Sequence, residues 1–576
     1  MESLPTYILP DNVITMMEGQ KITNRGETPN HLLQRVTDTM FAAEERFNTS
    51  PKTITLLKQE FAQHMVDGRF IPGTPTLTNA GRRTEAALSS CVVIPTDLRD
   101  PLQSAETIRS YYAQNMGSGF DFTQYDNPVE LVLWLNQLAA DETATGAYDR
   151  YIGNMGSLHI SHPRIKEFIA LKSQDGIIPY FNISVDIPED FMQAVIEDAP
   201  FQLADGTTIS ASDLFTIIAQ KAWQTGDPGI LFMDRMNQDN PIAVTSPYLT
   251  TPPCGEMGLS EGETCQFGYL NLHSFTDESG TVDYKSLGQA TSLITRALDN
   301  AIEYSLENYP TELTTQVAQL KRKIGIGVCG LAEMFMQSSL PYGSEEARLY
   351  ARDVLAFINY ISKKTSVDLA SVRGSCGAMN DRISNTYFHG YLERKYALHP
   401  THTVTTDMWT SLASAIKTTG HLRNIATTAL PPTGRASIIL GVTSAIEPFF
   451  SVVDSSGTIL PHIAKYVRQQ VPDIAERVLA DAATFGSFQN IDYLPKKLRS
   501  VLKTAQEIDP YDHIAMVGAL AGTQGVIDEA ASKTVNLPQT ATVEDVRNIF
   551  VQAWQMGLKN IAVYRDKSKM GQPQHL

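Results

Sequence analysis

A chain of 576 residues, 42% hydrophobic and 19% charged, has enough apolar mass for several domains or one large α/β barrel, which excludes a disordered or low-complexity scaffold. Its net charge of −17, from 46 basic against 63 acidic residues, repels nucleic-acid backbones and anionic lipid surfaces, so a phosphorylated ligand needs a local positive site. Five widely spaced cysteines (Cys91, Cys254, Cys265, Cys329 and Cys376) make no disulfide framework, and no run of about 18 apolar residues or basic-then-apolar leader occurs, which predicts a cytoplasmic protein without a membrane segment.

In chain order, residues 1–85 read as helices and turns. Thr28-Pro29-Asn30 opens one helix, and Thr53-Ile54-Thr55 leads into another through Phe61 and Met65, which Pro72-Gly73-Thr74-Pro75 ends. From about Ser89 to Phe450, short β-branched strands alternate with longer helical segments. Residues 91–94, 157–160, 182–187 and 229–233 are the clearest strands, and the alternation predicts an α/β architecture. Ser344 is a strong N-cap followed by Glu345 and Glu346, and Val354, Phe357, Ile358 and Ile361 fall on one helical face. Residues 542–556 predict a helix stopped by Gly557, residues 560–564 a last strand, and residues 567–576 a polar tail. No internal repeat or long flexible linker divides the chain, so its expected parts are a helical region 1–85, an α/β body 86–566 and the tail.

Three segments carry chemistry. Gly325-Ile326-Gly327-Val328-Cys329-Gly330 fits the dinucleotide pattern G-x-G-x-x-G, with residues 331–335 as a following helix, but the polar Gln319-Leu320-Lys321-Arg322-Lys323 stands where a buried strand is needed. Close packing of a Gly-rich strand is the better account. Pro252-Pro253-Cys254-Gly255-Glu256 places a thiol and a carboxylate two positions apart, on one side if the prolines keep the segment extended, and Cys265 follows in an apolar and aromatic run that predicts a strand. Leu430-Pro431-Pro432-Thr433-Gly434-Arg435-Ala436-Ser437 is a turn able to offer backbone N–H groups and hydroxyls to a phosphate, with Arg435 adding charge.

Taken in order, these segments resemble the large, catalytic subunit of ribonucleotide reductase. The likeness runs through residues 70–81, Leu88-Ser89-Ser90-Cys91, Phe181-Asn182-Ile183-Ser184-Val185, Thr225-Gly226-Asp227-Pro228-Gly229, Cys254-Gly255-Glu256, Gly325-Ile326-Gly327-Val328, Leu422-Arg423-Asn424, Pro432-Thr433-Gly434, residues 532–538 and Val563-Tyr564-Arg565-Asp566. The resemblance implies a ten-stranded α/β barrel with a finger loop through its centre. It implies that Cys254, as a thiyl radical, removes the 3′ hydrogen of a ribonucleotide, that Glu256 takes the 3′-hydroxyl proton, and that Cys91 and Cys265 are the reducing pair. Thr74, Ser90, Thr433, Gly434 and Ser437 match positions that hold the substrate's phosphates and sugar, while Cys329 and Cys376 match no catalytic position. Arg435 stands where related sequences often have Thr, which predicts a more basic phosphate loop.

A partner-supplied radical travels through two adjacent tyrosines near the C-terminus, whereas this chain has Val563-Tyr564. Together with Pro253-Cys254-Gly255-Glu256, Ser532-Lys533-Thr534 and Val563-Tyr564-Arg565-Asp566, this resembles the adenosylcobalamin-dependent class II, with diphosphates the expected substrates and triphosphates the close variant. A class I-type subunit fed by a metal-containing partner and a non-catalytic nucleotide-binding homologue are the alternatives. Pro252 replaces the family's usual Asn, so sugar positioning has to differ. With Cys376 the last cysteine, regeneration is expected from a thioredoxin-like or other separate reductant. No full ATP-cone module is expected in the N-terminal region. dNTP specificity effectors near Lys172-Ser173-Gln174-Asp175-Gly176 and a homodimer are the remaining expectations.

Overall fold

In the computed structural model, residues 4–83, 85–173, 176–380 and 390–568 are described. Gln174 and Asp175 of the expected specificity segment, residues 569–576 of the polar tail and Met1 to Ser3 lie outside them. The alternating pattern becomes the strands β1 (Phe70–Pro72), β2 (Cys91–Val93), β3 (Gly117–Asp121), β4 (Asn154–His159), β5 (Phe181–Asp186), β6 (Pro200–Gln202), β7 (Thr208–Ser210), β8 (Gly229–Leu231), β9 (Thr264–Asn271), β10 (Ile324–Cys329), β11 (Thr534–Leu537) and β12 (Asn560–Arg565). All but β6 and β7, which pair with each other, belong to one ten-stranded sheet.

The strand directions show how that sheet is built. β2, β3, β4, β5 and β8 are successive parallel neighbours, as are β9 with β10 and β11 with β12. The two sets meet antiparallel at β2/β9 and at β8/β12. Isolated parallel bridges from Ile326 to Thr428 and from Leu430 to Ala531 carry β10 across to the segment leading into β11. The sheet thereby closes into the barrel that the resemblance implies, leaving few unpaired edges.

Helices cover the outside, and their ends follow local chemistry. Glu345–Arg373 starts where the Ser344 hydroxyl accepts from Ala347 N, buries Val354 and Ile358, and leaves Phe357 half-buried. It packs along Tyr284–Ser305, which Asp283 caps. Val543–Gln555 opens with a reciprocal capping box between Thr542 and Asp545. Several boundaries differ from expectation, among them the strand expected at 157, which starts at Asn154. Residues 70–79 form β1 and a short helix, Thr74–Asn79, instead of a terminating turn, because β1 pairs with β9. The strand at 229 stops at Leu231, and Met233 opens the helix Met233–Gln238.

The Gly-rich run is β10, buried throughout, and its glycines are demanded by packing. A Cβ on Gly325 would lie 2.5 Å from the Phe267 ring, and one on Gly327 2.9 Å from Pro431. A second, smaller core gathers Phe449, Val452, Ile463, Val467, Val478 and Phe488 in the helical stretch that precedes β11.

Candidate active site

The loop between Met233–Gln238 and β9 runs through the barrel interior, and small residues on the strands make its path. A side chain at Gly119 on β3 would lie 2.4 Å from Thr251 O, and one at Gly117 3.3 Å from Pro253. Ser157 on β4 donates to Thr250 Oγ1 (2.7 Å), Asn182 on β5 to Pro253 O (2.9 Å), and Asn560 on β12 to Gly255 O (2.9 Å). Ala530 N donates to Glu256 O (3.0 Å). The loop is thus held by both halves of the barrel at once.

Its tip is not extended, contrary to what the flanking prolines predicted. Gly255 N donates to Pro252 O (3.0 Å), and Gly255 sits at φ +74°, a left-handed conformation that glycine adopts without strain. The turn still brings Cys254 and Glu256 to one cavity of about 330 Å³, which Thr74, Ser90, Cys91, Thr433 and Gly434 also line. Cys91 and Cys265 are direct partners across the β2/β9 junction, and all five cysteines are free thiols.

Protonation follows from burial. Cys254 opens onto the cavity, yet the surrounding protein and the neighbouring Glu256 push its thiol well above the ordinary range, so it keeps its hydrogen. Burial raises Cys265 in the same way, helped by its hydrogen bond with Cys91. The Glu256 carboxyl is pushed up to about 7 by burial, against opposing pulls from a backbone N–H and from Arg150, and its Oε2 has no hydrogen-bond partner. A carboxyl that titrates near neutrality beside an open space can exchange a proton with a bound hydroxyl.

Seven of the nine sequence-derived site residues line this cavity, and Cys265 stands directly behind it as partner of Cys91. Ser437 departs from expectation: it is buried one turn into the helix Gly434–Leu440, and its hydroxyl donates to Gly434 O (2.8 Å) instead of facing the cavity. The Thr433 hydroxyl is engaged with Ser444 (3.1 Å) and Ala445 N (2.8 Å). Arg435 does reach the cavity. Sequence reasoning missed Arg150, whose guanidinium donates to Ser90 O (3.3 Å) and Asn115 O (3.1 Å) at the wall, and Tyr269 on β9. Strand alternation from Cys265 was the one available signal for Tyr269; nothing local marked Arg150.

A second cavity, of about 370 Å³, lies on the other side of the finger tip, and Cys254 lines both. Ser184, Lys533, Thr534, Asn536 and Tyr564 contribute to it, and the Tyr564 hydroxyl is buried without a hydrogen-bond partner.

A family model described as "Ribonucleotide reductase, barrel domain" matches residues 122–564, and one described as "Ribonucleotide reductase, all-alpha domain" matches residues 15–85. The chain belongs to the ribonucleotide reductase large-subunit family. Among curated relatives, a vitamin B12-dependent ribonucleoside-diphosphate reductase of Mycobacterium tuberculosis is 30% identical, over 98% of this chain and 78% of that protein. One of the same description from Thermoplasma acidophilum is also 30% identical, over 88% of this chain and 65% of that protein. A solved class Id ribonucleotide reductase alpha subunit of Actinobacillus ureae superposes with a TM-score of 0.76 over 97% of each chain at 18% identity, which establishes a shared reductase fold. No described helix of this reductase family member is long and apolar enough to cross a membrane.

Proposed function

We propose that this chain reduces ribonucleotides, as their diphosphates, to 2′-deoxyribonucleotides by a thiyl-radical route that depends on adenosylcobalamin. The observation that carries this reading is the position of Cys254 on the wall common to two cavities, with Glu256 and Cys91 facing the first. The Mycobacterium and Thermoplasma relatives are named for the same cofactor and substrate class.

The second cavity fits the nucleoside part of that cofactor in size, and its unpartnered Tyr564 hydroxyl and polar wall call for a polar ligand. Ser184, Thr534, Asn536 and Tyr564 would hold it. When bound, adenosylcobalamin supplies one-electron chemistry through homolysis of its cobalt–carbon bond.

The residues of the chain do the rest. Cys254, as a thiyl radical, takes the 3′ hydrogen atom of the ribose and returns it at the end. Glu256 accepts the 3′-hydroxyl proton, a task suited to a carboxyl titrating at about 7. Cys91 and Cys265 together give up two protons and two electrons: one proton leaves with the 2′-hydroxyl as water, the other proton and the two electrons make the new C2′–H bond, and the pair ends as a disulfide. Burial keeps the Cys265 thiol protonated, so the hydrogen it has to supply is in place before the sugar reacts. Arg150 and Arg435 offer positive charge to the phosphates within an otherwise acidic protein. dNTP specificity effectors, a homodimer, a thioredoxin-like or other separate reductant and a cytoplasmic setting complete the proposal.

The deciding experiment incubates the full chain with a ribonucleoside diphosphate and a dithiol, with and without adenosylcobalamin. Deoxynucleotide formation only with the cofactor, lost in Cys254→Ala, is the expected result. Activity that appears only on adding a metal-containing partner, or nucleotide binding without turnover under both conditions, overturns it.

A further inference from the structure

The strand that carries Cys265 sends another polar side chain into the first cavity, one without a task in the reaction as described. Side chains of β9 alternate between faces, so Cys265, Phe267 and Tyr269 point the same way, and Phe267 and Tyr269 line the cavity. Tyr269 is only 6% exposed, and among the described residues its hydroxyl makes no hydrogen bond. The ionisable groups near enough to act on the phenol are Glu256, Arg150, Cys91 and Cys265, the same groups that surround the reacting sugar in the proposed function.

Two more polar atoms at this cavity lack partners, Glu256 Oε2 and Ser90 Oγ. Buried polar atoms are almost always paired, so two orphans on the space that Tyr269 also lines call for a polar ligand there. Two other hydroxyls at the wall are committed: Tyr151 donates to Pro179 O (3.0 Å), and Thr433 is engaged with Ser444 and Ala445, while Arg150, Arg435 and Thr74 are the groups left for the phosphates. Pro252, at the base of the finger tip, offers neither an N–H nor a side-chain donor.

We infer that the Tyr269 hydroxyl donates a hydrogen bond to the ribose 3′-oxygen from which Glu256 takes the proton. This deepens the proposed function and rests on it. The proton passes from the 3′-oxygen to Glu256 Oε2, negative charge grows on the oxygen, and the phenol stabilises that charge while keeping its own proton. Only the 3′ O–H bond breaks in this step, and nothing is oxidised or reduced. Burial and the adjacent Glu256 charge hold the phenol proton far more tightly than in water, which keeps Tyr269 a donor throughout.

The test is Tyr269→Phe, which retains the ring and removes only the hydroxyl. It is made in the full chain carrying Cys254→Ala, so that no turnover occurs, and the affinities of a ribonucleoside diphosphate and its 3′-deoxy analogue are measured by calorimetry. The parent is expected to prefer the ribonucleotide, and Tyr269→Phe to shrink that preference roughly three- to tenfold, with affinity for the 3′-deoxy analogue unchanged. A preference that Tyr269→Phe leaves unaltered overturns this inference and leaves the proposed function standing. A parent that does not distinguish the two ligands also overturns the inference, whereas the proposed function falls only with the turnover experiment.

Discussion

Cys91 stands directly opposite Cys265 in the antiparallel pairing of β2 with β9. Directly opposed residues of such a pair have Cα atoms about 4.5–5.5 Å apart, inside the range of about 4.4–6.8 Å that a disulfide spans, so the two thiols can oxidise without strand movement. The junction between the two parallel halves of the barrel therefore creates the reducing pair of the proposed mechanism.

One turnover without added reductant should consume that pair. Thiol labelling of the denatured chain, which has five free cysteines, is expected to fall by two per chain as one deoxynucleotide forms. Cys265→Ser should cut multiple turnover at least a hundredfold while leaving nucleotide binding intact.

Glu256 sets an expected pH dependence. Burial raises its carboxyl to about 7, and the proposed base is the deprotonated form, so kcat/KM should be level above that pH. Below about pH 7 it should fall roughly tenfold per unit as the carboxyl protonates. Glu256→Gln should abolish this limb and lower kcat by about 10²–10⁴-fold, measured across pH 5.5 to 8.5.

Asn560 fastens the finger tip from the β12 side. Its amide donates to Gly255 O (2.9 Å) and Ala531 O (3.0 Å), and Asn560→Ala leaves both carbonyls without that donor. Stability should drop by about 1–3 kcal/mol in denaturant titrations. Turnover should fall more steeply than substrate affinity, because the tip carries Cys254 between its two cavities.

The Gly-rich strand should behave as a packing element. Gly325→Ala places a methyl group 2.5 Å from the Phe267 ring, and overpacking of this kind costs about 1–3 kcal/mol. Thermal unfolding is expected to shift down by several degrees. Titration with NADH or NADPH should show no saturable binding to the parent protein. Saturable binding that Gly325→Ala removes would identify a dinucleotide site instead.

Much of the molecule is legible in the linear chain because the signals are local. Strand-and-helix alternation, Ser344 and Thr542 as caps, and the ordered motifs from Phe70 to Asp566 announce an α/β barrel and the residues around its finger. Cys91, Cys254, Glu256 and Cys265 stand out through the resemblance, which matches them in order to the family's catalytic positions; their spacing alone does not separate them from packing thiols. Closure of the barrel made the remaining decisions. It turned the Cys254 tip where extension was expected, withdrew Ser437 into its helix, and brought Arg150, Tyr269, Asn182 and Asn560 to the finger from separate strands and loops. No window of sequence holds those residues together. Their meeting depends on which strands become neighbours, and long-range pairing of that kind is settled by cooperative burial of the whole sheet instead of by any segment's own preference.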